Sequence, residues 1–292
     1  MTDSVSRFLF ETLDIRGAVV HLDDTWRQMQ AGRDYQPPVT RLLGEMAAVT
    51  ALIAAQLKQP GRLTLQLRGN GPIQLLVMDC NEQLQMRGMA RSHPVVLPAP
   101  VPDLLGAHQG GQLLLSLDLP TARHPYQSIV PMVGDSIAAI FEHYLEQSEQ
   151  QASRLFIAAR PEGVACLFLQ KMPDADRNDP DGWHRICHLA ETVKADELLG
   201  LAPADLLTRL FHEDMAAHGL RLYDPAPVVY HCPEDWEKVR DMIRSLGRED
   251  AETIVREHGE ILIRDDICNR DYRFSAEDVA ALFDPRAGRV LH

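Results

Sequence analysis

The run RLTLQLRGNGPIQLLVMDC, residues 62–80, decides the fold class. Leu63, Leu65 and Leu67 alternate with Arg62, Thr64 and Gln66, the period-two pattern of a strand with one buried face. GNGP at 69–72 is a turn signal, and the apolar run after it reads as a second strand returning against the first. Its glycines lack the spacing of a dinucleotide or phosphate loop and sit between strands, so they serve a hairpin. QLQMRGMAR (83–91) supplies a third strand.

Working outward, RFLFETLDIRGAVVHL (7–22) has period-two apolar positions with a turn near Asp14. DDTWRQMQAG (23–32) opens on acids and closes on Gly32, as a short helix does. PPVTRLLGEMAAVTALIAAQLK (37–58) is apolar almost all round and predicts a helix buried against a sheet. Strands are expected in 111–119, 126–132, 154–160 and 163–170, with a helix over 134–150. Residues 1–175 therefore read as an α+β domain with a large, mostly antiparallel sheet.

At MPDADRNDPDG (172–182) the pattern changes. The helical stretches WHRICHLAETVK, ADELLGL and APADLLTRLFHED follow, and a second break lies in AAHGLRLYDPAPVV (216–229). We divide the chain into a core of 1–175, a helical linker of 176–227 and a small α/β C-terminal module of 228–292. In that module Trp236, Val239, Met242, Ile243 and Leu246 form a 3.6-period stripe. Ile261, Ile263, Tyr272 and Phe274 alternate along a hairpin, and Ser275 with Asp278 predicts a capping box.

The 292 residues are 45% hydrophobic and 24% charged, enough for one large or two modest domains. A formal net charge of −13 argues against a nucleic-acid or anionic-membrane partner. No apolar run reaches the roughly 20 residues of a membrane span, and the N-terminus lacks a secretory pattern. Five widely spaced cysteines do not make a disulfide framework. The expected location is cytoplasmic.

Catalytic patterns fail one by one. HEDMAAHG places Ala216 where a zincin helix needs its second histidine, and His218 is six residues beyond His212. His184, His188 and Glu191 share a helical face but are only part of a metal site. There is no G-x-S-x-G elbow and no C-x-x-C, so the chain is not read as an enzyme.

RFLFE, DIRGAVVHLDD, PPVTRLLGE, GPIQLL, RGMAR, YQSIVP, YLEQSEQ, RLFHED and CNRDYRF occur in an order that resembles the redox-regulated bacterial chaperones of the heat-shock protein 33 family. The resemblance covers essentially the whole chain. It implies an ATP-independent holdase for unfolding proteins, with a mobile helical linker and a C-terminal module. There a C-x-C and a C-x-x-C hold one zinc; oxidation pairs each close couple, expels the metal and opens module and linker.

This chain departs from that pattern. Cys232 matches the first cysteine of the C-x-C, and Glu234 stands at the second position. Asp265 stands at the first position of the C-x-x-C, and Cys268 matches the second. Neither close-pair disulfide can form. Zinc on Cys232, Cys268, Glu234 and Asp265 is disfavoured, because structural zinc sites are overwhelmingly Cys and His. Both acids also fit ordinary helix-start and turn roles, and no cofactor is expected. If the family shape holds, Cys232 and Cys268 lie close together, either as buried free thiols, which a reducing cytosol favours, or as a new bond across the site. The expected function is a holdase with altered or lost thiol control, acting as monomer or homodimer. The alternative is a binding or scaffold protein that keeps only the fold.

Overall fold

The structure is a computed structural model describing residues 2–284; residues 285–292 of the expected C-terminal module lie outside the described residues. The chain forms two compact units, divided between His231 and Cys232.

Unit 1 begins with β1 (Ser4–Phe10), β2 (Ile15–Leu22), α1 (Asp24–Gln30) and α2 (Pro37–Ala54). Then come β3 (Arg62–Arg68), β4 (Ile73–Asn81), β5 (Gln85–Ser92), α3 (Val101–Leu105), β6 (Gln112–Asp118) and β7 (Tyr126–Val130). The next elements are α4 (Ile137–Glu149), β8 (Ser153–Arg160) and β9 (Gly163–Lys171). After these come α5 (Ala175–Asn178), α6 (Gly182–Ala190), α7 (Ala195–Gly200) and α8 (Pro203–His218). The short strands β10 (Leu220–Leu222), β11 (Ala226–Pro227) and β12 (Val229–Tyr230) close the unit.

The strands make two sheets where the sequence pattern suggested one. The first runs β10-β1-β2-β9-β8, with β11 also on β1; the second runs β12-β5-β4-β3-β6-β7. All pairings are antiparallel except β12 on β5. The expected break at 216–229 is where β10, β11 and β12 lie. Such strands are too short for alternation to show in the sequence.

The buried residues of α2 come from all sides of the helix because it packs on both sheets. Its two prolines suit the first turn, where their missing N–H groups leave nothing unsatisfied. The GNGP turn receives the end of α3. A Cβ on Gly69 would meet the Leu105 carbonyl at 1.9 Å, and one on Gly71 would meet the Gly106 nitrogen at 2.5 Å. These glycines permit close backbone approach.

The other face of the first sheet carries α6–α8. Phe8, Phe10, Ile15 and Val19 pack with Trp183, Leu206, Leu210 and Phe211 in a second core. Polar contacts fix the helices there. Arg185 Nε donates to Asp214 at 2.9 Å, and its Nη2 donates to Asp179 at 2.9 Å. His21 Nε2 on β2 lies 2.8 Å from the Leu198 carbonyl on α7.

Unit 2 holds α9 (Trp236–Leu246), α10 (Arg248–His258), β13 (Ile261–Asp265), β14 (Arg270–Phe274) and α11 (Ala276–Leu282). Its core is Val239, Ile243, Ala251, Ile261, Tyr272, Phe274 and Val279. Only Val239 and Ile243 of the five-residue α9 stripe are buried; Trp236, Met242 and Leu246 are 37%, 50% and 48% exposed. The stripe is wider than the surface that a two-stranded hairpin offers it. The Ser275–Asp278 capping box forms, and the hydroxyl bond holds the Asp278 carboxyl below its usual range. No helix among the described residues is long and apolar enough to cross a membrane.

Candidate redox site

Two local structures in unit 2 bring the surviving cysteines together. The first is the entry to α9. Asp235 caps the helix by accepting from the Lys238 N–H at 3.0 Å, and its own N–H donates to the Tyr272 hydroxyl at 3.2 Å. That bond ties the segment after Cys232 to β14. The second is the β13–β14 turn. Asp265 Oδ1 accepts from the N–H groups of Ile267 (3.0 Å) and Cys268 (3.1 Å), and Asn269 takes the left-handed conformation with φ 52°. An Asx bond of this kind is why Asp suits a turn position.

Across these two structures the Cα atoms of Cys232 and Cys268 stand 5.7 Å apart and the sulfurs are joined in a disulfide. The separation falls within the roughly 7 Å that a disulfide tolerates. This differs from the preferred reading of two buried free thiols. Both residues are only half-buried, so neither gains what a fully buried apolar thiol gains. The three cysteines that do behave as buried apolar residues are in unit 1. Burial pushes the Cys80 and Cys187 thiols up to about 12 and raises Cys166 as well, which leaves them unreactive.

The two carboxylates that stand in for thiols have other partners. Glu234 accepts from Trp236 Nε1 at 2.8 Å, with Arg270 Nε 3.8 Å from its other oxygen. Asp265 holds the turn. The residues present do not fit a zinc ion in this closed form: both sulfurs are bonded to each other and the carboxylates serve backbone and indole N–H groups. Among the described residues, no group of three or more His, Cys, Asp or Glu side chains is arranged to hold a metal. His188 pairs with Glu191 at 3.4 Å on an exposed helix face, and His218 Nδ1 lies 3.0 Å from the Thr12 hydroxyl.

Sequence reading missed Arg270. Its Nη2 donates to the Cys232 carbonyl at 3.3 Å, so a guanidinium links the loop of Cys232 to β14 and lies beside Glu234. Its position two residues after Cys268 was the available signal. Trp236 adds edge contacts to Tyr272 and Phe274, with ring centroids 4.8 and 5.8 Å away. The outcome is a small module closed by a disulfide, a guanidinium and three aromatic rings.

Known proteins place this arrangement in context. The family model described as Hsp33 protein matches residues 3–275. The 33 kDa chaperonin of Methylobacillus flagellatus is 39% identical over 285 residues, covering 97% of this chain and 95% of that protein. That of Chromobacterium violaceum is 37% identical, covering 97% and 94%. A crystal structure of the 33 kDa chaperonin (heat shock protein 33 homolog) from Thermotoga maritima superposes with a TM-score of 0.76 at 23% identity. It covers 96% of this chain and 97% of that one.

Proposed function

Because the chain belongs to the Hsp33 family, we propose that it is an ATP-independent holdase for unfolding proteins whose C-terminal module is closed by Cys232–Cys268 instead of zinc. The observation that supports the redox part is the 5.7 Å approach of two half-buried cysteines from opposite halves of the site. In the family pattern oxidation joins close neighbours and opens the module. Here the bond spans the two halves, so oxidation closes it.

Reduction is the opening step. A thiolate of a dithiol reductant attacks one cysteine sulfur, the S–S bond breaks, and the reductant's second thiol resolves the mixed disulfide. The reductant leaves as its own disulfide; two electrons and two protons remain on Cys232 and Cys268. The bond closes a loop with a sequence separation of 36. Its loss withdraws about 4 kcal/mol in the chain-entropy picture. The small core then left to unit 2 is marginal by itself. The helical segment 176–227 then loosens, as in the family, and uncovers the apolar surface of α6–α8 for clients.

Light scattering from a thermally unfolding client enzyme tests the reading. Chain pre-treated with a dithiol is expected to suppress aggregation more strongly than chain oxidised with peroxide. Stronger suppression by the oxidised form would refute the inverted control. Failure of both forms to suppress would favour the scaffold alternative.

A further inference from the structure

A cleft in unit 1 is independent of the thiol chemistry. It has a volume of about 740 Å³ and lies at one end of the first sheet, where α2 stops. Strand register explains its character. Arg7 pairs with Ala18 and Leu9 with Arg16 across β1 and β2, while Ala18 and Arg16 pair with Phe168 and Gln170 on β9. These residues share the sheet face that packs on α2 through Val5, Ala18, Val20 and Phe168. Beyond the last turn of α2 that face turns from apolar to cationic.

Three cations border the cleft and one carboxylate opposes them. Arg16 is engaged: Nε donates to Gln170 Oε1 at 2.7 Å and Nη2 lies 3.7 Å from Glu149. Glu149 also accepts from Gln170 Nε2 at 2.8 Å, so the single acid is held on Arg16's side. Arg7 and Lys58 are exposed, and neither side chain has an ion-pair or hydrogen-bond partner among the described residues. The negative end of α2 does not absorb them, since the carbonyls of Ala51, Ile53 and Ala54 accept from the N–H groups of Ala55, Gln56 and Leu57. On a chain with net charge −13, two uncompensated cations over an apolar wall are a local reversal of sign.

We propose that this cleft binds an anionic amphiphile. Its alkyl chain lies on Leu9, Ala55 and Leu57, and its carboxylate or phosphate head meets Arg7 and Lys58. The volume falls in the range of small-molecule sites, and the split between an apolar wall and a few placed charges is what such sites use for orientation. Arg can meet either head group in bidentate fashion, and Lys adds a point charge.

Calorimetric titration of the full chain with octanoate, octyl phosphate and 1-octanol, all below micellar concentrations, tests this. Saturable one-site binding is expected for at least one anion, with octanol about tenfold weaker or worse. The stronger of the two anions identifies the head group. Arg7→Gln combined with Lys58→Gln is expected to weaken the anion about tenfold while leaving octanol binding and the thermal melt unchanged. Octanol binding as tightly as both anions, undiminished anion binding in a folded double variant, or the lack of any saturable anion binding would overturn the proposal. The octanol comparison needs no variant, so a variant that fails to fold leaves the test intact.

Discussion

The two units hold cysteine in opposite ways. In unit 1 the thiols of Cys80, Cys166 and Cys187 are sealed among large buried cores, and burial raises all three out of the reactive range. Among the described residues, unit 2 has a small core of Val239, Ile243, Ala251, Ile261, Tyr272, Phe274 and Val279, and its two cysteines are half-buried and joined. A large core makes a thiol one more apolar side chain. A small core cannot supply the same closure by burial, and a covalent bond there carries a larger share of stability. In the proposed reading, redox sensitivity is thereby confined to the part of the molecule least able to do without its bond.

The largest expected effect sharpens this contrast. Cys232→Ser should remove about 4 kcal/mol from unit 2, read as faster hydrogen exchange of β13 and β14. The same change at Cys187 should leave those amides unaltered. Equal effects on β13 and β14 from both variants would break the comparison. A smaller loss is expected from Arg185→Ala, which strands the buried Asp214 carboxylate. About 2–3 kcal/mol of local stability should go from α6 and α8, with faster exchange there and none in unit 2. Ser275→Ala removes the cap of α11 and should cost unit 2 about 1 kcal/mol in thermal or denaturant unfolding.

The gentlest perturbation is acid. Burial lowers the pKa of His21 from its ordinary 6.5, against the opposing pull of the Leu198 carbonyl, Asp23 and Asp3. The folded state therefore binds the proton less readily than the unfolded chain. Stability from this site is full above about pH 6.5 and is lost as pH falls through the folded value. Protection factors of the α7 amides, taken relative to the intrinsic exchange rate at each pH, should fall on acidification, and His21→Gln should flatten that response.

Much of unit 1 was legible because its elements are long. The alternation of β3, the GNGP turn and the all-round apolar α2 each follow from local pattern. What was hidden depends on distant partners. No local rule shows that Asp3 caps α1, yet its carboxylate accepts from the N–H groups of Asp23, Asp24 and Thr25 at 2.7, 3.1 and 2.5 Å while Asp23 caps nothing. Division into two sheets depends on pairings such as β2 with β9, far apart in sequence. At the site, Cys232, Cys268, Glu234 and Asp265 could be singled out from spacing and resemblance. Arg270 had only its nearness to Cys268 to mark it, because its bridge runs to the Cys232 carbonyl 38 residues away.

The most direct test of disulfide closure is hydrogen exchange on the full chain, with and without a dithiol reductant, alongside counting of reactive thiols. Without reductant, neither Cys232 nor Cys268 should react with alkylating reagent. With it, both should react and the β13–β14 amides should lose protection, while the β2, β3 and β4 amides of unit 1 keep theirs. Undiminished β13–β14 protection after both thiols have been released would contradict the account.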